Sequence, residues 1–117
     1  MSGFDIEQAL IEWLPGKLGV PCFDDPPDDK PAEFVTVERT GGETSLGVDR
    51  PLVAVQAWAG TRANASALAA SARAALVNDS WEIAEVCRCA VSSTYNFPDP
   101  DSRKARYQLD VEMVTRP

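Results

Sequence analysis

One stretch, PLVAVQAWAGTRANASALAASARAALVN over residues 51–78, constrains the fold more than any other. Its first half alternates, so that Val53, Val55 and Ala57 share one face of an extended strand while Leu52, Ala54, Gln56 and Trp58 share the other. Gly60 lets the chain turn. The Thr61 hydroxyl then stands where it can accept a hydrogen bond from an unpaired N–H in the first turn of a helix. Beyond it Ala65, Leu68, Ala69, Ala72 and Leu76 recur at helical spacing. A helix of about 17 residues spans roughly 25 Å, enough to lie across four strands about 4.8 Å apart. Its inward face is mostly methyl groups, which allows a close approach to the sheet.

The flanking segments supply the remaining layers. Residues 4–14 place Ile6, Ala9, Leu10, Trp13 and Leu14 on one stripe, the pattern of an amphipathic helix, with Asp5 and Glu7 in its first turn. Pro15 and Gly16 are expected to stop it. Residues 19–23 read as an edge strand, followed by FDDPPDDKP, an acidic surface loop over residues 23–32. Residues 33–40 form a strand that buries Val35, Val37 and Phe34. Residues 41–51 form a loop or arm anchored only by Leu46 and Val48. Alternation resumes over residues 83–94 with Ile83, Cys87, Cys89 and Val91 on one side, although Glu85 interrupts it and signals a bulge or a later start. YNFPDPDSRK is a second turn-rich connection. The last strand alternates most cleanly, with Tyr107, Leu109, Val111 and Met113 facing one way.

The order α-β-β-β-α-β-β predicts an α+β two-layer sandwich: a mostly antiparallel sheet of four to five strands with two helices on one face, in a single domain over residues 1–117. The other face would then carry Thr36, Glu38, Gln56, Trp58, Arg88, Arg106, Gln108, Asp110 and Glu112, polar apart from one tryptophan. A formal charge of −7 with scattered basic residues argues against sequence-specific nucleic-acid binding. MSGFDIEQ has neither the basic start nor the apolar run of a secretory signal, so the chain is expected to stay in the compartment where it is made; no stretch reads as a membrane span.

Candidate chemistry is sparse. Histidine is absent, and no nucleophile motif, phosphate loop or zinc signature occurs, so neither an enzyme nor a cofactor is expected. Cys87 and Cys89, with Cys22 a conceivable third ligand, lack a C-x-x-C knuckle and read as small hydrophobes; no metal is assigned to them. Asp24, Asp25, Asp28 and Asp29 are split by Pro26 and Pro27 and read as a solvated loop. Trp58, Tyr95 and Phe97 point to binding, since aromatic side chains are enriched at interface cores; the plainer alternative is that Trp58 packs under the stem of Arg88 or Arg106.

Three segments, EFVTVERTGG, DRPLVAVQAWAGTRANASALAASARAAL and STYNFPDPDSRKARYQLDVEM, together resemble the small tail proteins of long-tailed bacteriophages and prophages, in particular tail terminators. The likeness runs from Glu33 to Met113 and does not include FDDPPDDK. It implies a structural subunit of the virion, assembled in the bacterial host cytoplasm, that closes a homo-hexameric ring at the head-proximal end of the tail. Such a ring stops tube polymerisation, touches the tail tube protein and the head-tail connector protein, and lets DNA pass through. Arg39, Gly41, Gly42, Asp49, Arg50, Trp58, Arg88, Tyr95, Phe97, Asp99 and Arg106 are the residues expected at its interfaces. A head-tail neck adaptor that does not set tail length is the alternative, and an acidic ring wall would repel passing DNA.

Overall fold

The computed structural model describes residues 3–117, so the first two residues of the MSGFDIEQ stretch lie outside the described residues. In chain order the elements are α1 (Ile6–Leu18), β1 (Cys22–Phe23), β2 (Phe34–Gly41), β3 (Thr44–Ser45), β4 (Val48–Asp49), β5 (Leu52–Ala59), α2 (Arg62–Asp79), a 3-10 turn (Ser80–Glu82), β6 (Val86–Asn96) and β7 (Ala105–Thr115). Four long strands in the order β2-β5-β7-β6 run antiparallel, and β1 adds to β2 in parallel, giving an α+β fold with a mixed sheet.

The strand into helix unit forms as its alternation and cap dictate. Thr61 Oγ1 accepts from Asn64 N at 3.1 Å, and α2 buries Ala65, Leu68, Ala69, Ala72, Ala75 and Leu76. Of these, Leu68, Ala69, Ala72 and Leu76 meet Val53, Val55 and Ala57 of β5 and Leu109, Val111 and Met113 of β7 in one core, which Ile6, Leu10 and Leu14 of α1 complete beside Val35 and Val37. Both helices therefore cover the same sheet face. No helix among the described residues is long and apolar enough to cross a membrane.

Two expectations change. Pro15 does not end α1: Asp5 caps its start by accepting from Gln8 N, and the helix continues to Gly19, whose φ of 71° closes it with a bond from its N–H to Pro15 O. A proline this close to the end removes one backbone bond, and Lys17, two residues on, lies 2.8 Å from the Glu82 carboxylate and ties the extra turn to the 3-10 segment. In β6 the strand starts at Val86, and bulges at Cys87 and Ser92 break the phase. Cys87 is thereby exposed while Cys89 faces the core, so the two thiols do not share one side. Phe34 is buried as expected, on the face opposite Val35 and Val37, where it stacks on Trp58.

Residues 41–51 continue two strands outward. The pairings Thr44↔Asp49 and Ser45↔Val48 extend the β2–β5 hairpin past a bulge between Arg39 and Gly41, and Leu46 and Gly47 form its turn. β4 stays in register with β5 along β7, since Asp49 pairs with Thr115 as Leu52 pairs with Glu112. The break between them falls at Pro51, which has no N–H to donate but whose carbonyl still accepts from Met113 N at 3.1 Å.

Candidate interaction surface

The sheet face away from the helices carries two cross-strand rows. In the first, Phe23 meets Phe34 edge-on with centroids 6.0 Å apart, Phe34 stacks on Trp58 at 5.1 Å, and the Arg106 guanidinium lies between Trp58 (4.8 Å) and Phe97 (4.4 Å). Tyr95 closes the row edge-on against Phe97 at 6.0 Å. Arg106 Nε also donates to Phe97 O at 2.7 Å, so the guanidinium is fixed as well as stacked. The second row is polar. Trp58 Nε1 donates to Thr36 Oγ1, Thr36 Oγ1 to Gln56 Oε1, Gln56 Nε2 to Gln108 Oε1, and Gln108 Nε2 to both Tyr95 Oη and Asp110 Oδ1, each at 2.8–3.0 Å. Burial and the nearby Asp110 carboxylate push the Tyr95 phenol up.

Trp58 is consequently only 2% exposed and cannot be an interface side chain in its own right. The alternation placed it on the correct face, but Phe34 and Arg106 cover it, as in the plainer reading with Arg106. Tyr95 and Phe97, at the end of the same row, remain exposed. Asp99 lies in the turn behind them, where it accepts from Ser102 N at 3.0 Å and from the Ser102 hydroxyl, which holds its carboxyl below the usual range.

The second surface feature is the 44–49 hairpin, a prong with a stiff base. Arg39 grips Asp49 with two hydrogen bonds, Nη1 to Oδ2 at 2.7 Å and Nη2 to Oδ1 at 2.8 Å, and its Nε donates to Gly41 O at 2.9 Å. Thr44 Oγ1 also donates to Asp49 at 2.8 Å. The Arg39 guanidinium, with these donors, holds the buried Asp49 carboxyl below the usual carboxylate range. Gly42 adopts a φ of 100°, and a Cβ there would lie 2.1 Å from Arg50 O, so only glycine lets the two strands of the prong's base come this close. Of the five residues expected from this segment, Arg39, Gly41, Gly42 and Asp49 build the base, and Arg50 is exposed beside it.

Leu46, read from the sequence as an anchor, is instead fully exposed at the tip, with a relative exposure of 102%. An anchoring role fails because the turn carries it beyond every other element. Val77 and Trp81 were missed as surface residues and are 50% and 72% exposed. They flank a recess of about 180 Å³ that also includes Val86, Cys87 and Arg88, the last an expected interface residue. Trp81 is the middle residue of the 3-10 turn that follows α2, and an aromatic residue just after a helix end was the available signal.

The other candidates do not assemble. Cys22 sits in β1 at one edge of the sheet and Cys87 and Cys89 in β6 at the other. Among the described residues no three potential ligands cluster. Burial pushes the Cys22 thiol up to about 12. Asp24, Asp25, Asp28 and Asp29 are all exposed. Compared with known proteins, the chain matches no family model and no curated sequence.

Proposed function

We propose that this chain is a structural subunit of a long-tailed phage virion, one that closes a ring on the head-proximal end of the tail tube, stops its polymerisation and gives the head connector a surface to dock on. The observation that carries the reading is that one small chain displays separate exposed apolar stations, Leu46 on a braced prong and Val77 with Trp81 beside a recess. A ring contact is heterologous, so each copy needs two different patches that complement one another. The sequence resemblance over residues 33–113 names the kind of ring, and a formal charge of −7 per copy suits a channel through which DNA slides without sticking.

Electron micrographs of particles lacking this protein test the proposal. Tubes of uncontrolled length are the expected result. Tails of normal length detached from heads would instead make the chain a neck adaptor and overturn the terminator reading. Complete infectious particles would overturn both.

A further inference from the structure

The prong and the recess have features of a plug and its socket, and we infer that Leu46 of one copy seats in the recess beside Val77 and Trp81 of a second copy, joining the two head to tail. The inference rests on the ring reading above and names its contact. The prong is already ordered: the Arg39–Asp49 grip, the close approach at Gly42 and the Asp49↔Thr115 pairing hold it in the free chain. Docking it therefore costs little additional conformational entropy. A fully exposed leucine at the end of such a brace gains apolar contact only from another molecule.

The recess fits that occupant. Its volume of about 180 Å³ is of the order of the ~150 Å³ cavity that admits a benzene-sized group. Its walls, Val77 and Trp81, are the most exposed large apolar side chains of the helical layer. Charge allows one specific pair, because Arg88 lines the recess while Glu43 stands beside Arg50 at the root of the prong, and among the described residues neither Arg88 nor Glu43 takes part in an ion pair. Both features lie at the end of the sheet marked by Thr115, with Asp49 pairing on the β5 side of β7 and Val86 on the β6 side. Plug and socket thus stand on the two sides of β7 at one end of the sheet, and being two different patches they meet the requirement of a head-to-tail contact.

The recess contains its own probe, the exposed thiol of Cys87. The full chain carrying Leu46→Cys in a Cys89→Ser background is oxidised with copper phenanthroline at concentrations up to the millimolar range, joining two thiols as one disulfide with two electrons passing to the oxidant. A covalent ladder extending beyond the dimer, lost when Cys87→Ser is added, is the expected result. Absence of a ladder, a ladder that survives Cys87→Ser, or a product that stops at the dimer overturns the inference. In parallel, Leu46→Asp should weaken self-association in sedimentation at least tenfold with no change in melting temperature, since Leu46 buries nothing in its own chain; unchanged association overturns the inference. If the ladder forms but particles lacking the protein keep their tube length, the contact stands and the terminator reading falls. If tubes overrun yet no ladder forms, the reverse holds.

Discussion

Replacing Arg39 by methionine keeps the aliphatic stem and removes the grip on the prong. Two charge-assisted bonds of 2.7 and 2.8 Å to the buried Asp49 carboxylate are lost, together with the bond to Gly41 O. Charge-assisted bonds contribute about 1.5–3 kcal/mol each in buried settings, but the Arg39 side chain is 30% exposed, so solvent screening brings the combined loss to about 2–3 kcal/mol. With an unfolding entropy of about 2.1 cal/mol/K per residue, that loss lowers the melting temperature by about 8–12 °C. The pH dependence identifies the cause. Asp49 has a folded-state pKa below its unfolded value, so its contribution is present above the ordinary carboxylate range near 4 and is lost as pH falls through the depressed folded value. The gap between the native chain and Arg39→Met should therefore be widest at pH 6–7 and close progressively in acid. Urea melts followed by tryptophan fluorescence from pH 2 to 7 would measure it. A loss below about 0.5 kcal/mol, or a gap independent of pH, would refute the claim that this ion pair braces the hairpin. The double change Arg39→Met with Asp49→Leu should cost less than the sum of the two, because no unpaired charge is left buried.

Further predictions follow from individual contacts. Gly42→Ala should destabilise the chain by about 1–3 kcal/mol or more and open residues 43–50 to limited proteolysis, because both the positive φ and the approach to Arg50 O forbid a Cβ. Trp58→Phe keeps the stack on Phe34 but loses the bond to Thr36 and should cost about 1 kcal/mol, whereas Trp58→Ala should cost about 3–5 kcal/mol in the same urea assay. Among the described residues Thr115 Oγ1 is buried without a partner, so Thr115→Val should be neutral or raise stability by up to about 1 kcal/mol; a loss of comparable size would reveal a hydrogen bond to that oxygen. With an aromatic disulfide reagent at pH 8, Cys87 should react first and Cys22 only after unfolding, as peptide mapping of the labelled protein would show.

Where one rule dominated, the sequence sufficed. Alternation, a turn glycine and a cap located β5 and α2, because burial on one face and the Thr61 hydroxyl both act within a few residues of the position they determine. The long last strand was legible for the same reason. Pro15 was misread since local preference says stop, while contacts from Trp13 to Glu82 and from Lys17 to Glu82 and Asp79, distant in sequence, hold the helix for another turn. Trp58 illustrates the limit of periodicity, which assigns a face but not what covers it. Its cover comes from Phe34 on one neighbouring strand and Arg106 on the other. The prong was foreseen as an arm, yet its stiffness depends on Arg39 meeting Asp49 across the hairpin, a pairing no local pattern encodes. Leu46, in turn, looked like an anchor only because hydrophobicity was taken to imply burial.

The sheet-facing alanines of α2 fix more than the tightness of the core. Ala65, Ala69 and Ala72 are completely buried, the last two in the core shared with β5 and β7, so they act as a gauge that sets the clearance between helix and strands. A bulkier residue at any of them would tilt or lift the whole rod, and the displacement would be largest near its far end, at Val77 and the Trp81 that follows. The height at which that indole stands off the protein is in this sense dictated by methyl groups as much as four turns away, and mutations that never touch the outer surface could detune it.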